Sequence, residues 1–364
     1  MIIGITALGT ANPKYKRRQQ DAAELVAATL DLKPAAKRLL KSVYKASGIE
    51  HRYSVLSDYC TTPENFEFFP KTPDAPFPST SARMKIYKDN ALNLCLEAIQ
   101  NCLTNFDKNK ITHLITISCT GMYAPGLDIE IVQQLNLNSS TKRTAINFMG
   151  CYGAFNGIKV ADAICKSEPN AAVLIVSIEL CTIHFHKNIS LDNMISNAIF
   201  ADGAAAILIQ ANPQQKKYLS LEAFHSEIMP QTSQEMAWQI SDSGFDIVLS
   251  SYVPEVIKSG ISAFTNKLLH QHGLEFSAID YYAIHPGGQK ILQACEEALN
   301  ITEEHNKYSY QVLRDYGNMS SATVLFVLKA IWDDINQEDS EKNIFSCAFG
   351  PGLTLESMLL KVYT

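Results

Sequence analysis

"MGCYGAFNGIKVADAI" (149–164) is echoed loosely by "YGNMSSATVLFVLKAI" (316–331). Each stretch opens on small residues beside a glycine and runs into an apolar helical pattern, Phe155, Ile158 and Ile164 in the first. Each is followed by a buried strand run, a glycine-marked turn and another strand. "FADGAAAILI" (200–209) closes one unit and "FGPGLTLESMLL" (349–360) the other. The repetition predicts a duplicated α/β unit. A polar break near "QANPQQKKY" (210–218) divides the chain into 1–212 and 213–364.

The neighbouring segments fit that frame. Short apolar runs at 111–119, 171–180, 204–210, 279–285, 343–350 and 353–363 read as strands, and "MIIGITALGTANP" as a first strand. The runs at 171–180 and 343–350 barely alternate, as strands covered on both faces do. Helical patterns fall at 82–104, 127–135, 151–167, 251–272, 287–299 and 319–335. Residues 54–80, rich in Pro, Phe and Thr, read as an irregular excursion over the surface.

Composition narrows the function. Of 364 residues 46% are hydrophobic and 19% charged, enough apolar material for a sizeable core. A net charge of −6 without a sustained basic stripe argues against nucleic acid as a partner. No run reaches the roughly 18 apolar residues of a membrane span, so no membrane partner is expected. The nine cysteines form no C-x-x-C pair. They fit reduced thiols in the cytoplasm and argue against a cysteine-rich zinc site; no metal site is expected. One basic cluster stands out in "AAKRLLKSVYK" (35–45). It reads either as a solvated helix face or as a docking site for a phosphorylated substrate.

Three residues carry chemistry. Cys151 sits where a helix begins, and unpaired N–H groups there favour a thiolate. The glycines around it weaken a helix by up to about 1 kcal/mol each. They would admit a substrate to the sulfur and let helices pack closely. A small buried cysteine is the plain alternative. His285 in "AIHPGGQKIL" (283–292) ends a buried strand, where α/β folds bind ligands. Asn318 in "GNMSSATVLF" (317–326) opens the helix that echoes the Cys151 helix, and an N-cap is its plain role. If the two units face each other across a pseudo-dyad, Cys, His and Asn come together. "HFH" (184–186) suggests metal, but on a strand the two imidazoles point to opposite faces.

In this order and spacing, "MGCYGA", "IHPGG", "YGNMSS" and "FGPGLT" resemble the chalcone synthase family, the type III polyketide synthases of the thiolase superfamily. The resemblance runs from "GTANP" (9–13) to "ESMLLKV" (356–362). It implies an α/β fold of thiolase-like five-layer αβαβα type with two pseudo-duplicated halves. It also implies a homodimer and a narrow tunnel for coenzyme A thioesters, which are substrates; no cofactor is implied. Residue by residue, Cys151 matches the nucleophile, and His285 and Asn318 match the pair that binds the thioester carbonyl. Phe200 in "IFADGAAA" matches the phenylalanine beside the cysteine. Gly350 and Pro351 belong to a loop that shapes the active-site wall. Lys41 and Lys45 fall where the family binds coenzyme A phosphates. Glu179 matches a buried family glutamate, whose plain role is a structural hydrogen-bonding group.

Cys119, Cys181, His184, Trp238 and Ile247 fall where the family shapes its starter pocket and cyclisation cavity. Plant chalcone synthases have threonines at the first three of these positions, and a glycine and a phenylalanine at the last two. "SCTG" and W-x-I-x-D-x-G-F are more similar to bacterial members, many of which extend fatty acyl starters to alkylpyrones or alkylresorcinols. The resemblance therefore implies an acyltransferase that loads a starter acyl-CoA on Cys151 and condenses it with malonyl-CoA by decarboxylation. A protonated His285 would pair with the thiolate and hold its pKa down. Three rivals stand beside this reading: a single condensation of the 3-oxoacyl-carrier-protein synthase III kind, a cysteine hydrolase, and an inactive synthase subunit.

Overall fold

The computed structural model describes residues 1–72, 75–188, 190–230, 232–250 and 252–364. The first half begins with β1 (Ile3–Ala11), β2 (Tyr15–Arg18), α1 (Gln19–Thr29), α2 (Pro34–Lys45) and β3 (His51–Ser54). It continues through α3 (Thr80–Cys102), β4 (His113–Ser118), α4 (Leu127–Gln134), β5 (Lys142–Asn147) and α5 (Gly153–Ser167), then β6 (Ala172–Leu180), α6 (Leu191–Ile199) and β7 (Asp202–Ala211). The second half opens with β8 (Tyr218–Ile228), a hairpin of β9 (Met236–Ser241) and β10 (Gly244–Leu249), and α7 (Val253–His270). β11 (Tyr281–Ile284), α8 (Gln289–Leu299), α9 (Lys307–Tyr316), α10 (Thr323–Asp334), β12 (Asn343–Gly350) and β13 (Thr354–Tyr363) complete it.

One nine-stranded sheet runs β11-β12-β13-β8-β1-β7-β6-β4-β5. The order is doubled: β4-β6-β7-β1 in one half matches β11-β12-β13-β8 in the other. In both, the first pair is parallel and the second antiparallel. The halves meet where Gly4 opposes Ser220 and Ile5 opposes Leu219. The echo heard in the sequence is thus visible in the strand order.

Three apolar clusters lie between the layers. Leu94 and Ile99 of α3 pack with Leu174 and Leu208 on the outer face of the first half-sheet. Phe155 and Ile158 of α5, with Val324 and Leu328 of α10, fill the centre, together with Ile175 of one half-sheet and Ile344 of the other. Ile257 and Phe264 of α7, with Leu292 of α8, pack with Phe345 and Leu359 on the far side. The result is the five-layer αβαβα arrangement, with α5 and α10 back to back in the middle layer. β6 is buried along its whole length, as its lack of alternation implies.

Some elements depart from the reading of the sequence. β5 was not expected because Lys142 to Ala145 are exposed on an edge strand and show no apolar run. α1, α6, α9 and β8 were also not anticipated. Residues 54–80 are irregular, but Phe66, Phe68 and Phe69 are buried, not spread over the surface. The Asp58 carboxylate pins that stretch by accepting the backbone N–H groups of Glu67, Phe68 and Phe69. Pro73 and Asp74 of this stretch lie outside the described residues, as does Ser251 at the start of the helix expected over 251–272. Among the described residues no helix is long and apolar enough to cross a membrane.

Candidate active site

The nucleophile candidate stands on a tight 3-10 turn, Gly150–Tyr152, between β5 and α5. Just before it in the chain the backbone is turned left-handed at two residues, Phe148 with φ 60° and Gly150 with φ 75°. A Cβ on Gly150 would lie 2.3 Å from Cδ of Pro351, and one on Gly350 would lie 2.5 Å from the Tyr152 ring. These two glycines let the loops of the two halves close on each other. Gly153 and Gly157 do something else: a Cβ there would meet Ile117 at 3.0 and 2.6 Å. They bring α5 close onto β4 and do not open a path to the sulfur.

Cys119, Cys151 and Cys181 line one cavity of about 300 Å³ with Phe200, His285 and Asn318. Trp238, Ile247 and Pro351 also line it. His285 follows the end of β11, where its backbone N–H donates to the Cys347 carbonyl at 2.8 Å. Its side chain is 1% exposed and neither ring nitrogen has a hydrogen-bond partner among the described residues. Burial pushes its pKa down to about 3. Burial also pushes the Cys151 thiol up to about 12, against hydrogen bonds from Ser320 and Asn318 that favour the thiolate. Desolvation outweighs the lowering expected of a helix start, and burial favours the neutral form of both groups.

Asn318 has divided duties. Its Oδ1 accepts the Ser320 N–H at 2.8 Å and the Thr323 hydroxyl at 3.3 Å, which is the capping role. This fixes the amide so that Nδ2 turns toward the His285 loop and donates to the Gly287 carbonyl at 3.3 Å. The second amide hydrogen is on the side of the Cys151 sulfur, where a ligand oxygen can take the sulfur's place as acceptor. The backbones of Phe200 and Asn318 pair as an isolated parallel bridge, tying the end of α6 to the start of the α10 turn.

Trp238 and Ile247 face each other across the β9–β10 hairpin. The indole N–H donates to the Cys119 carbonyl at 2.7 Å. Cys119 is tethered at its other atoms as well: its N–H donates to Glu179 Oε2 at 2.9 Å and its sulfur accepts the Gly150 N–H at 3.0 Å. Glu179 is fully buried, does not line the cavity, and also accepts from Thr120 and Ser321 hydroxyls. Burial raises its pKa to about 7. It is a hydrogen-bonding hub joining the two halves.

The remaining candidates stand apart. His184 lines a small adjoining cavity with Cys181, Phe200, Trp238 and Ile247. The segment is a 3-10 turn over Cys181–His184, not the strand assumed for "HFH". His184 Nε2 pairs with the Thr120 carbonyl at 2.7 Å, and His186 Nε2 with the Phe245 carbonyl at 2.8 Å. Gly350 packs under Tyr152 and does not line the main cavity. Lys41 is on the exposed face of α2, paired with Glu24, and Lys45 is exposed at the helix end. Neither lines the cavity, although Val43, Ala46 and Ser47 beside them do. The sequence reading missed the apolar wall made by Ile195, Leu249, Val253 and Ile257. Only the apolar face of α7 hinted at it.

Comparison with known proteins agrees with this geometry. Residues 2–213 match the family described as chalcone and stilbene synthases, N-terminal domain, and residues 220–364 match the C-terminal domain. The alpha-pyrone synthesis polyketide synthase-like Pks18 of Mycobacterium tuberculosis is 31% identical over 98% of this chain and 91% of its own length. Probable polyketide synthase 1 of Dictyostelium discoideum is 32% identical over 98% of this chain, which spans only 11% of that protein. The crystal structure of the C-terminal type III polyketide synthase domain of Steely1, a type I/III hybrid from Dictyostelium, superposes with a TM-score of 0.91 at 28% identity, covering 100% of both chains. The chain therefore belongs to the chalcone and stilbene synthase family, the type III polyketide synthases, which are condensing acyltransferases.

Proposed function

We propose that this enzyme loads an aliphatic starter from its coenzyme A thioester onto Cys151, extends it with malonyl-CoA, and closes the product to an alkylpyrone or alkylresorcinol. One observation carries the reading: the Cys151 thiol, the unpaired imidazole of His285 and the amide of Asn318 share one cavity whose further wall is apolar.

Burial favours neutral Cys151 and His285, and the thiol proton passes to His285 as the sulfur attacks. The sulfur–acyl bond forms, and the departing coenzyme A thiolate takes the proton from the imidazole. In malonyl-CoA the bond to the carboxylate then breaks. Carbon dioxide leaves, and the electron pair becomes an enolate whose oxygen meets the imidazole N–H and the Asn318 amide. Donors held in place in a dry site cost no reorganisation as that charge develops. Phe200 gives the carboxylate an apolar neighbour and favours its loss as neutral gas. The enolate carbon attacks the Cys151 thioester, a carbon–carbon bond forms, and the cysteine thiolate is released.

Ile195, Leu249, Val253 and Ile257 favour an acyl tail, since each buried methylene is worth about 0.8 kcal/mol. The alpha-pyrone chemistry in the relative's name supports the same product class. The reading takes the protein as a cytoplasmic homodimer and residues 1–212 and 213–364 as two copies of one unit; the doubled strand order supports the last point. The test is mass spectrometry of products from malonyl-CoA with a panel of starter thioesters. Pyrones or resorcinols are the expected result. A single diketide on a carrier protein, free acid alone, or no turnover would each sink the proposal in favour of one of its rivals.

A further inference from the structure

We infer that Arg52 is a positioning residue for the Phe200–Asn318 pair, and so for the enolate donor; this rests on the role proposed above for Asn318. Arg52 lies on β3 and is 5% exposed. Among the described residues no carboxylate pairs with it, and one guanidinium nitrogen, Nη2, has no partner. Burying a cation without a counter-ion is costly, so its remaining contacts must explain it.

Those contacts converge on the site. Nη1 donates to the carbonyls of Asn197 at 2.8 Å and Phe200 at 2.6 Å. These carbonyls belong to the last turn of α6, where unpaired acceptors and the negative end of the helix dipole collect. The peptide groups flanking Phe200 then hold Asn318. The Ala201 N–H donates to the Asn318 carbonyl, and the Asn318 N–H to the Ile199 carbonyl, both at 2.9 Å. The Arg52 stem reaches the same place from the other side: a Cβ on Gly317 would fall 3.1 Å from Arg52 Cγ. Gly317 has φ +74°, so it suits the turn as well as the close approach. Nε donates to Gln19 Oε1 at 2.8 Å, and Gln19 in turn donates to the Ala198 carbonyl at 2.7 Å. Arg52 thus fixes the carbonyl of one cavity residue and the backbone immediately before another.

A planar guanidinium spans these acceptors together, and a lysine cannot. The test compares two half-reactions of the full-length enzyme. One is single-turnover acylation of Cys151, read by mass shift; the other is release of labelled carbon dioxide from malonyl-CoA. Arg52→Lys is expected to slow carbon dioxide release about 10–100-fold through kcat, with KM for malonyl-CoA unchanged and acylation within about three-fold. In an Asn318→Ala background the same substitution should add no more than about two-fold, because positioning acts through the missing amide. Equal slowing of both half-reactions, or additive losses in the double variant, would overturn the inference. Should Arg52→Lys not melt cooperatively, Gln19→Met loosens only the Nε end, and it must show the same split at about three-fold or the inference fails. If Asn318→Ala alone leaves carbon dioxide release untouched, the Asn318 role fails first and this inference with it; a slow Asn318→Ala beside a normal Arg52→Lys refutes this inference alone.

Discussion

Asn318 accepts the backbone N–H of Ser320 through its side-chain oxygen at 2.8 Å. The oxygen does structural work and the amide nitrogen is left for chemistry, so one substitution separates them. Asn318→Asp keeps the acceptor and loses both donors. It should melt above Asn318→Ala, which also forfeits a cap worth about 0.5–2 kcal/mol. Both variants should lose about 10²–10³ in malonyl decarboxylation. Carbon dioxide release and thermal melts measured side by side check this. An aspartate variant that decarboxylates at the wild-type rate would show that the amide donates nothing to the enolate.

Acid should loosen the cavity wall. His184 donates from Nε2 to the Thr120 carbonyl, and its Nδ1 accepts the Phe245 N–H at 3.0 Å, so no lone pair is free for a second proton. Burial lowers its pKa to about 3, whereas the unfolded chain titrates near 6.5. The unfolded state therefore binds more protons between those values. The stability from keeping this ring neutral is fully present above about pH 6.5 and is lost as pH falls toward about 3. The loss is about 1.4 kcal/mol per pH unit. His285, held at about 3 by burial, adds in the same direction. His184→Gln keeps a donor and an acceptor in place and removes one titration. Its stability by urea denaturation should fall about 2 kcal/mol less than wild type between pH 6.5 and 5. Identical slopes would mean His184 takes its proton in the fold at no cost.

The residues that could be read from the sequence are those whose type is dictated by one local demand. Cys151, His285 and Asn318 each open or close an element within two residues of a glycine, and the repeated unit pointed to one shared site, the cavity they line. What could not be read depended on partners distant in sequence. Gly153 and Gly157 look like access to a thiol until Ile117 of β4 is seen against them. The ion pair of Lys41 with Glu24 of α1 joins two helices and has no signature in the basic cluster itself. Burial of Cys151, which raises its thiol pKa, could not be read either, because a helix start is a local property and burial is not. Arg52 offers no pattern at all: its acceptors are the Gln19 side chain and the backbone carbonyls of Asn197 and Phe200 at the end of α6, invisible in any spacing.

Chain-length preference should be set by α7 and not by Trp238. The indole is locked, with its N–H on the Cys119 carbonyl at 2.7 Å and its ring edge-on to His184 at 5.7 Å and Phe245 at 6.0 Å. It is a fixed part of the wall. Val253 and Ile257, one turn apart on α7, are at most 1% exposed and line the same cavity with Ile195 and Leu249. Ile257→Trp would fill the space these side chains leave for a tail. Losing burial of two methylenes costs about 1.6 kcal/mol, or more than ten-fold in preference. The ratio of kcat/KM for decanoyl-CoA over acetyl-CoA should therefore fall at least about ten-fold, while the value for acetyl-CoA stays within about three-fold. An unchanged ratio in Ile257→Trp, beside a collapsed ratio in Cys119→Phe, would place the tail on the Cys119 side of the cavity instead.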